Sequence, residues 1–123
     1  MPHMQLEKKI HNIRFALNGI RIAWQEEFSF RVQTYAAALI LLLGWFFTIS
    51  VTEWLMVIFM IGIVLSAEVF NTALEELCDK YKTDPDPHIG KIKDLGAAAV
   101  LIASATALVV GIVIFIPHLF SFA

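Results

Sequence analysis

Three long stretches of the chain carry no charged residue, and their lengths suit helices that cross a lipid bilayer. They run from Val32 to Thr52, from Trp54 to Ala67 and from Leu95 to Pro117. The second falls short of the roughly 20 residues that a spanning helix needs, but its helical pattern continues through Glu68 to about Asp79. The pattern therefore predicts an all-α membrane protein with transmembrane helices at about residues 30–51, 53–78 and 92–117.

The segment before the first span has a different, one-sided pattern. Apolar residues recur at alternating spacings of four and three, at Leu6, Ile10, Ile13, Leu17, Ile20 and Trp24. Lysine, arginine and asparagine side chains fall elsewhere on the helical wheel. This pattern is typical of an amphipathic helix that lies on a membrane surface, and we expect one at about residues 5–26.

Composition supports the membrane assignment. Of the 123 residues, 59% are hydrophobic and 16% are charged, a balance that a soluble domain of this size could not bury. The length allows one domain, residues 1–123. The net charge of −2 and the absence of a basic tract argue against nucleic-acid binding. The single cysteine, Cys78, cannot form an internal disulfide.

The positive charges predict the orientation in the membrane, because Lys and Arg are retained on the cytoplasmic side. They precede the first span or separate the second from the third: Lys8, Lys9, Arg14, Arg21 and Arg31, then Lys80, Lys82, Lys91 and Lys93. The N-terminus and the loop 79–94 should therefore be cytoplasmic. Four residues, Asp84, Pro85, Asp86 and Pro87, predict irregular structure in that loop.

Acidic residues in the second predicted span carry the candidate chemistry. Glu68 lies inside the span, where a charged side chain costs about 2.5–3.5 kcal/mol on insertion scales. On a helix Glu68 and Glu75 would be about 20° apart around the axis and about 10 Å apart along it. Asn71 and Thr72 flank this line and Asp79 extends it. We call these five residues the polar stripe.

The polar stripe and its neighbours offer the groups that phosphoryl transfer requires. Carboxylates are hard oxygen ligands suited to Mg²⁺ bound together with substrate phosphates. Glu26 and Glu27 precede the first span, at the predicted cytoplasmic level of Glu75. Lys91, Lys93 and Asp94 stand at the start of the third span. A lysine for phosphate and a deeper carboxylate as base complete the set.

These residues alone leave other interpretations open. The outer acids could be solvated side chains at a helix end, and Glu68 could be a structural partner of a basic residue or an ion relay. A small oligomeric transporter or a proton-coupled channel would use Glu68 in that way. A non-enzymatic assembly subunit is a third possibility, although it gives no reason for Glu68, Glu75 and Lys93 to occur together.

Longer motifs resemble the prokaryotic diacylglycerol kinase family, which includes undecaprenol kinases. They are Glu68-Val-Phe-Asn-Thr-Ala-Leu-Glu75 with Asp79, Lys93-Asp94-Leu-Gly-Ala-Ala-Ala-Val100, and Glu26-Glu27-Phe-Ser-Phe30-Arg31. The resemblance extends from about Ile10 to Ile116. It implies a homotrimer in the bacterial inner membrane, with active sites shared between subunits at the cytoplasmic face.

The resemblance also implies roles for individual residues. Glu68 would be the general base, with Asn71 positioning it, and Glu27 and Glu75 would hold Mg²⁺. Nucleotide-binding residues would be Lys93, Asp94, Asp79, Lys8, Phe15 and Asp86. The lipid substrate would contact Arg21, Trp24, Phe30, Arg31 and Ala97.

The function implied is a lipid kinase that transfers the γ-phosphate of ATP to the hydroxyl of a membrane lipid alcohol, either diacylglycerol or undecaprenol. The Asn71-Thr-Ala-Leu-Glu75 sequence and the paired Glu26-Glu27 are closer to members that phosphorylate undecaprenol. The transporter or channel that relays ions through Glu68 is the alternative.

Overall fold

Four α-helices make up the computed structural model, which describes residues 2–81 and 86–122. They are α1 (Pro2–Glu26), α2 (Phe28–Phe47), α3 (Val51–Lys80) and α4 (Pro87–Phe122). The last three are long and apolar enough to cross a membrane. The prediction of an all-α protein with three helices able to span a membrane is therefore confirmed. A helix is also present where the surface helix was expected, beginning a few residues earlier than predicted.

The first span ends earlier than hydropathy predicted, at Phe47 instead of residue 51. Thr48 adopts a left-handed conformation (φ 53°, ψ 54°) that stops α2. Ser50 then caps α3 through two reciprocal hydrogen bonds. The Ser50 hydroxyl accepts one from the Glu53 N–H at 3.2 Å, and the Glu53 carboxylate accepts one from the Ser50 N–H at 3.0 Å. Hydropathy does not register such a turn, because all of its residues before Glu53 are uncharged.

The connection between the second and third spans is shorter than the predicted loop 79–94. Helix α3 continues through Lys80, and α4 already begins at Pro87. The Asp86 carboxylate accepts a hydrogen bond from the His88 N–H at 2.9 Å, and Pro is favoured at the first helical position. The expectation of irregular structure at Pro87 was therefore wrong. The expectations for Lys82, Asp84 and Pro85 lie outside the described residues.

Helix α4 extends beyond the predicted span 92–117 at both ends. Helix α4 extends to Phe122 and includes Pro117, which has no N–H to donate within the helix. The side chain of His118, next to it, lies 3.1 Å from the Glu53 carboxylate and so joins the end of α4 to the start of α3. This contact fixes the end of the bundle opposite to the polar stripe.

Helix α3 is the central element of the packing. Its most extensive contacts are with α4, followed by α2, and α1 makes smaller contacts with both α2 and α3. The buried residues of α3 form one inward-facing line at helical spacing: Val57, Met60, Val64, Glu68, Thr72 and Cys78. Glu68 and Thr72 thus continue the apolar core line instead of lying on a lipid-facing side.

Candidate active site

Glu68 is a buried carboxyl group in the middle of the bundle. Its residue is 5% exposed, and Thr72, one turn further along, is 9% exposed. The Thr72 hydroxyl donates a hydrogen bond to the Glu68 carbonyl oxygen at 2.9 Å, a local bond that satisfies a hydroxyl inside a helix. Burial of a carboxyl group is costly unless polar groups face it, so the partners of the Glu68 side chain are informative.

Gln33 on α2 is the partner that the sequence analysis missed. Its side-chain amide interacts with the Glu68 carboxyl group, and its Nε2 also donates a hydrogen bond to the Ser104 hydroxyl on α4 at 3.2 Å. One amide therefore joins all three spanning helices at the depth of Glu68. The sequence does show a polar amide near the start of the first uncharged stretch. Which helix that amide faces, however, depends on how the helices pack.

Asn71 and Glu75 form the next level of the polar stripe. Both are half-buried, and the Asn71 Nδ2 donates a hydrogen bond to the Glu75 Oε1 at 3.1 Å. The Asn71 Oδ1 is buried without a hydrogen-bond partner among the described residues. The amide therefore holds the Glu75 carboxylate from one side, while its oxygen faces α4.

Glu27 brings a further carboxylate to this level from the junction of α1 and α2. It occupies the N-cap position of α2 in an extended conformation, and its side chain makes no capping hydrogen bond. The pKa of Glu27 is raised above its ordinary value, mainly because the side chain is partly buried. The nearby negative charges of Glu75, Glu26 and Glu76 raise it further, and the positive charge of Arg31 lowers it. Like charges that converge in this way favour a bound cation.

Mg²⁺ suits this arrangement of carboxylates. Among residues 2–81 and 86–122, no group of three or more acidic, histidine or cysteine side chains forms a complete metal cage. Mg²⁺ is commonly bound by one or two carboxylates together with substrate phosphates, which is what the two side chains of Glu27 and Glu75 could provide. The donor set therefore fits Mg²⁺ held jointly with a nucleotide.

Lys93 lies at the start of α4, opposite the outer end of the polar stripe. Its ammonium group donates a hydrogen bond to the Asp79 carboxylate and forms an ion pair with it. The two side chains are 31% and 59% exposed, so the pair is weakened by solvent. A lysine has three donors, which leaves Lys93 able to bind phosphate as well. Asp94 is exposed beside it.

The residues expected at the lipid substrate are found in different environments. Arg31 donates hydrogen bonds through Nη1 to the carbonyl oxygens of Trp24, at 2.7 Å, and Gln25, at 3.1 Å. It therefore caps the C-terminal end of α1, a structural role that the sequence analysis missed. Phe30 is buried, with 6% exposure. Arg21 and Ala97 are exposed, so their lipid contacts stay predictions.

The residues expected at the nucleotide are mostly exposed. Lys8 and Phe15 lie on α1, where the Phe15 ring is 5.8 Å from the His11 ring. The Asp86 carboxylate caps α4, which gives this residue a local role apart from any nucleotide. Nucleotide binding by these three residues stays a prediction.

The fold and the site together define a class of protein. It is a helical membrane protein with three spans, in which carboxylates converge at one end of the bundle. The profile of one family, described as prokaryotic diacylglycerol kinase, matches residues 14–115. This match covers most of the chain and includes every residue of the polar stripe. The chain therefore belongs to the prokaryotic diacylglycerol kinase family.

Individual relatives agree with this assignment. The chain is 29% identical over 115 residues to the undecaprenol kinase of Bacillus subtilis, covering 94% of each protein. It is 30% identical over 104 residues to the diacylglycerol kinase of Haemophilus influenzae, covering 85% of this chain and 86% of that protein. The diacylglycerol kinase of Escherichia coli K12 is 27% identical over 104 residues. The chain is a membrane lipid kinase and, as a kinase, uses ATP.

A first prediction concerns Gln33. Ser104→Ala removes one interhelical hydrogen bond and should lower the free energy of unfolding by roughly 0.6 kcal/mol, the average for such bonds in membranes. Gln33→Met should cost more, about 1–3 kcal/mol, because it also leaves the buried Glu68 carboxyl group without its amide partner. Unfolding in mixed micelles measures both. Equal losses in the two variants would show that the Gln33 amide does not support Glu68.

Proposed function

We propose that this protein phosphorylates a membrane lipid alcohol, diacylglycerol or undecaprenol, at the cytoplasmic face of the bacterial inner membrane. The observation that carries the proposal is the gradient of exposure along α3. Glu68 is buried among the spanning helices, Glu75 is half-buried, and Asp79 is exposed. A lipid hydroxyl can reach the inner end of this line from the bilayer, and ATP can reach the outer end from water.

Glu68 is the general base of the proposed reaction. The lipid hydroxyl gives its proton to the Glu68 carboxylate as the oxygen forms a bond with the γ-phosphorus of ATP. The bond between the γ-phosphorus and the bridging oxygen breaks, and ADP leaves with that oxygen. Gln33 and the packing of α3 hold the carboxylate in place, and positioning of this kind supplies much of the acceleration in phosphoryl transfer.

Glu27 and Glu75 would hold Mg²⁺ together with the ATP phosphates, and the bound ion would neutralise phosphate charge. Asn71 orients Glu75 through its amide, whereas the resemblance implied that it positions Glu68. Lys93 exchanges part of its contact with Asp79 for a phosphate oxygen, and Asp94 orients the nucleotide beside it. The nucleotide also contacts residues on α1 and at the start of α4: Lys8, Phe15 and Asp86.

Helix α1 lies on the cytoplasmic surface of the membrane in this proposal. Its apolar side chains, such as Ile13 and Leu17, are exposed in the single chain, and its lysines and arginines can remain in contact with water and lipid headgroups. Arg21 and Trp24 would then contact the lipid substrate near its headgroup. The junction at Glu27 follows α1, so this placement brings that carboxylate to the membrane face.

A homotrimer with shared active sites completes the proposal. Large apolar side chains are exposed on every spanning helix of the single chain, for example Trp45 at 78%, Phe70 at 74% and Leu101 at 69%. Lipid can cover these surfaces, but lipid cannot satisfy a line of carboxylates. A neighbouring subunit can shield the polar stripe and supply a residue to it.

The family membership favours this function over the transporter or channel that the residues alone left open.

A direct assay decides both the activity and the acceptor. Purified protein in mixed micelles, with Mg²⁺ and ATP labelled at the γ-phosphate, is given diacylglycerol or undecaprenol in separate reactions. Label in one lipid identifies the acceptor, and label in neither lipid overturns the proposed function.

The role of Glu68 predicts a specific kinetic defect. Glu68→Gln keeps the size of the side chain and should preserve assembly and nucleotide binding, while turnover falls by roughly 10²–10⁴, the range for a positioned general base. Thr106→Val is a matched control within a span, because the Thr106 hydroxyl only donates a local hydrogen bond to the Ile102 carbonyl oxygen. Lost assembly with normal turnover in the surviving oligomers would instead make Glu68 a structural residue.

The proposed metal ligands predict a change in Mg²⁺ dependence. Glu27→Gln and Glu75→Gln should each raise the Mg²⁺ concentration needed for half-maximal activity, because each removes one negatively charged ligand. Glu76→Gln removes the same charge from a neighbouring position and controls for general electrostatics. Titration of activity with Mg²⁺ checks this prediction. An unchanged Mg²⁺ requirement in both ligand variants contradicts the assignment.

Shared active sites predict complementation between inactive subunits. In the single chain Glu27 lies near its own Glu75, so this prediction requires the trimer to bring Glu27 of one subunit to the polar stripe of the next. Mixing Glu27→Gln subunits with Glu68→Gln subunits then regenerates some intact sites at subunit boundaries. Each variant reconstituted alone is the control, and different affinity tags verify that the oligomers are mixed. If verified mixed oligomers are no more active than the controls, each chain builds its own site.

A further inference from the structure

The side chains of Asn71 and Leu74 on α3 pack against α4 at Gly96. This glycine is buried and its φ is not positive, so the helix backbone alone would accept any residue there. A Cβ atom at Gly96 would nevertheless lie 2.5 Å from the Asn71 Oδ1 and 3.2 Å from the Leu74 Cδ1. The first distance is far shorter than a van der Waals contact. A side chain at this position is therefore opposed by the Asn71 side chain and not by backbone conformation.

The atom that a side chain at residue 96 would meet belongs to an amide with a defined orientation. The Asn71 Nδ2 donates to the Glu75 Oε1 at 3.1 Å, and a carboxylate only accepts hydrogen bonds, so the amide nitrogen must face Glu75. The Asn71 Oδ1 then faces Gly96 and is buried without a partner among the described residues. The Asn71 amide thus lies between the Glu75 carboxylate on its own helix and the Gly96 backbone of α4.

Gly44 on α2 also packs closely, since a Cβ atom there would lie 2.8 Å from the Trp54 ring, but the remaining glycines of the spanning helices do not. A Cβ atom added at Gly90 or Gly111, both on α4, would meet no atom within 4 Å, and the same is true of Gly62 on α3. Gly96 is therefore not one of several interchangeable small residues on α4.

We infer that Gly96 is a positioning residue, whose lack of a side chain keeps the Asn71 amide turned toward the Glu75 carboxylate. The consequence for catalysis rests on the proposed function of Glu75. A methyl group at residue 96 displaces the end of the Asn71 side chain, because rotation about its two side-chain bonds is easier than separation of the extensively packed helices α3 and α4. Glu75 then loses the donor that fixes its carboxylate.

Nuclear magnetic resonance tests the geometric part of this inference without any assay of activity. The chain contains three asparagines, Asn12, Asn18 and Asn71, so selective ¹⁵N labelling of asparagine gives three side-chain amide signals. Gly96→Ala should shift the Asn71 signal and leave the two signals from α1 unchanged. Gly90→Ala and Gly111→Ala are matched controls on the same helix and should leave all three unchanged. An unmoved Asn71 signal in Gly96→Ala overturns the inference.

A double-mutant cycle separates action through Asn71 from general packing. Gly96→Ala should lower unfolding stability in the wild-type background and have a much smaller effect in Asn71→Ala, because the oxygen that the new methyl group meets is then absent. Equal losses in both backgrounds would show that Gly96 acts through Leu74 or the backbone, which contradicts the inference.

The functional consequence is measured last. Gly96→Ala should lower turnover by roughly 10- to 100-fold, the effect of misplacing a group near the reaction by about 1 Å, and should raise the Mg²⁺ requirement in the same direction as Glu75→Gln. A shifted Asn71 signal with unchanged turnover and Mg²⁺ requirement would overturn the positioning role while leaving the kinase intact. A wild-type protein that labels neither lipid would overturn the proposed function, and the spectra and the stability cycle would still test the contact.

Discussion

A carboxyl group inside a membrane-spanning helix is costly unless the protein surrounds it with polar partners, and the packing of this bundle satisfies that constraint at Glu68. The carboxyl group lies on the inward line of α3, and Gln33 of α2 faces it. The same Gln33 amide donates to Ser104 of α4. All three spanning helices are therefore joined by polar groups at the depth of Glu68, the candidate base. These contacts constrain the rotation of each helix about its axis.

The elements that were predicted correctly depend on local patterns. Uncharged runs of suitable length indicate spans, and a spacing of seven residues places Glu68 and Glu75 on one side of a helix whatever surrounds it. The errors lie at the ends of helices, where capping competes with hydropathy. Ser50 with Glu53, and Asp86 with Pro87, are recognisable capping sequences, so these boundaries could have been predicted more closely from the same residues.

The partners between helices could not be predicted in the same way. Gln33 and Ser104 are 71 residues apart, and Lys93 and Asp79 are 14 apart. Each pair requires a particular rotation and register of two helices, which a single sequence does not encode locally. The small residues near the start of α4 show the difference. Gly96 and Ala103 are buried while Ala97 is exposed, although all three are small residues that the sequence alone does not tell apart.

The direction of α3 links this packing to the chemistry. A kinase for lipids must bring a hydroxyl that stays in the bilayer to a nucleotide that stays in water, and a helix crossing the interface presents both environments along one side. Asp79 is exposed, Glu75 is held by Asn71, and Glu68 is enclosed by the other spans. Charge is therefore most solvated at Asp79, near the proposed phosphate site, and least solvated at Glu68, the proposed base. The gradient that permits access from two phases therefore also separates the proposed metal and phosphate site from the proposed base along a single helix.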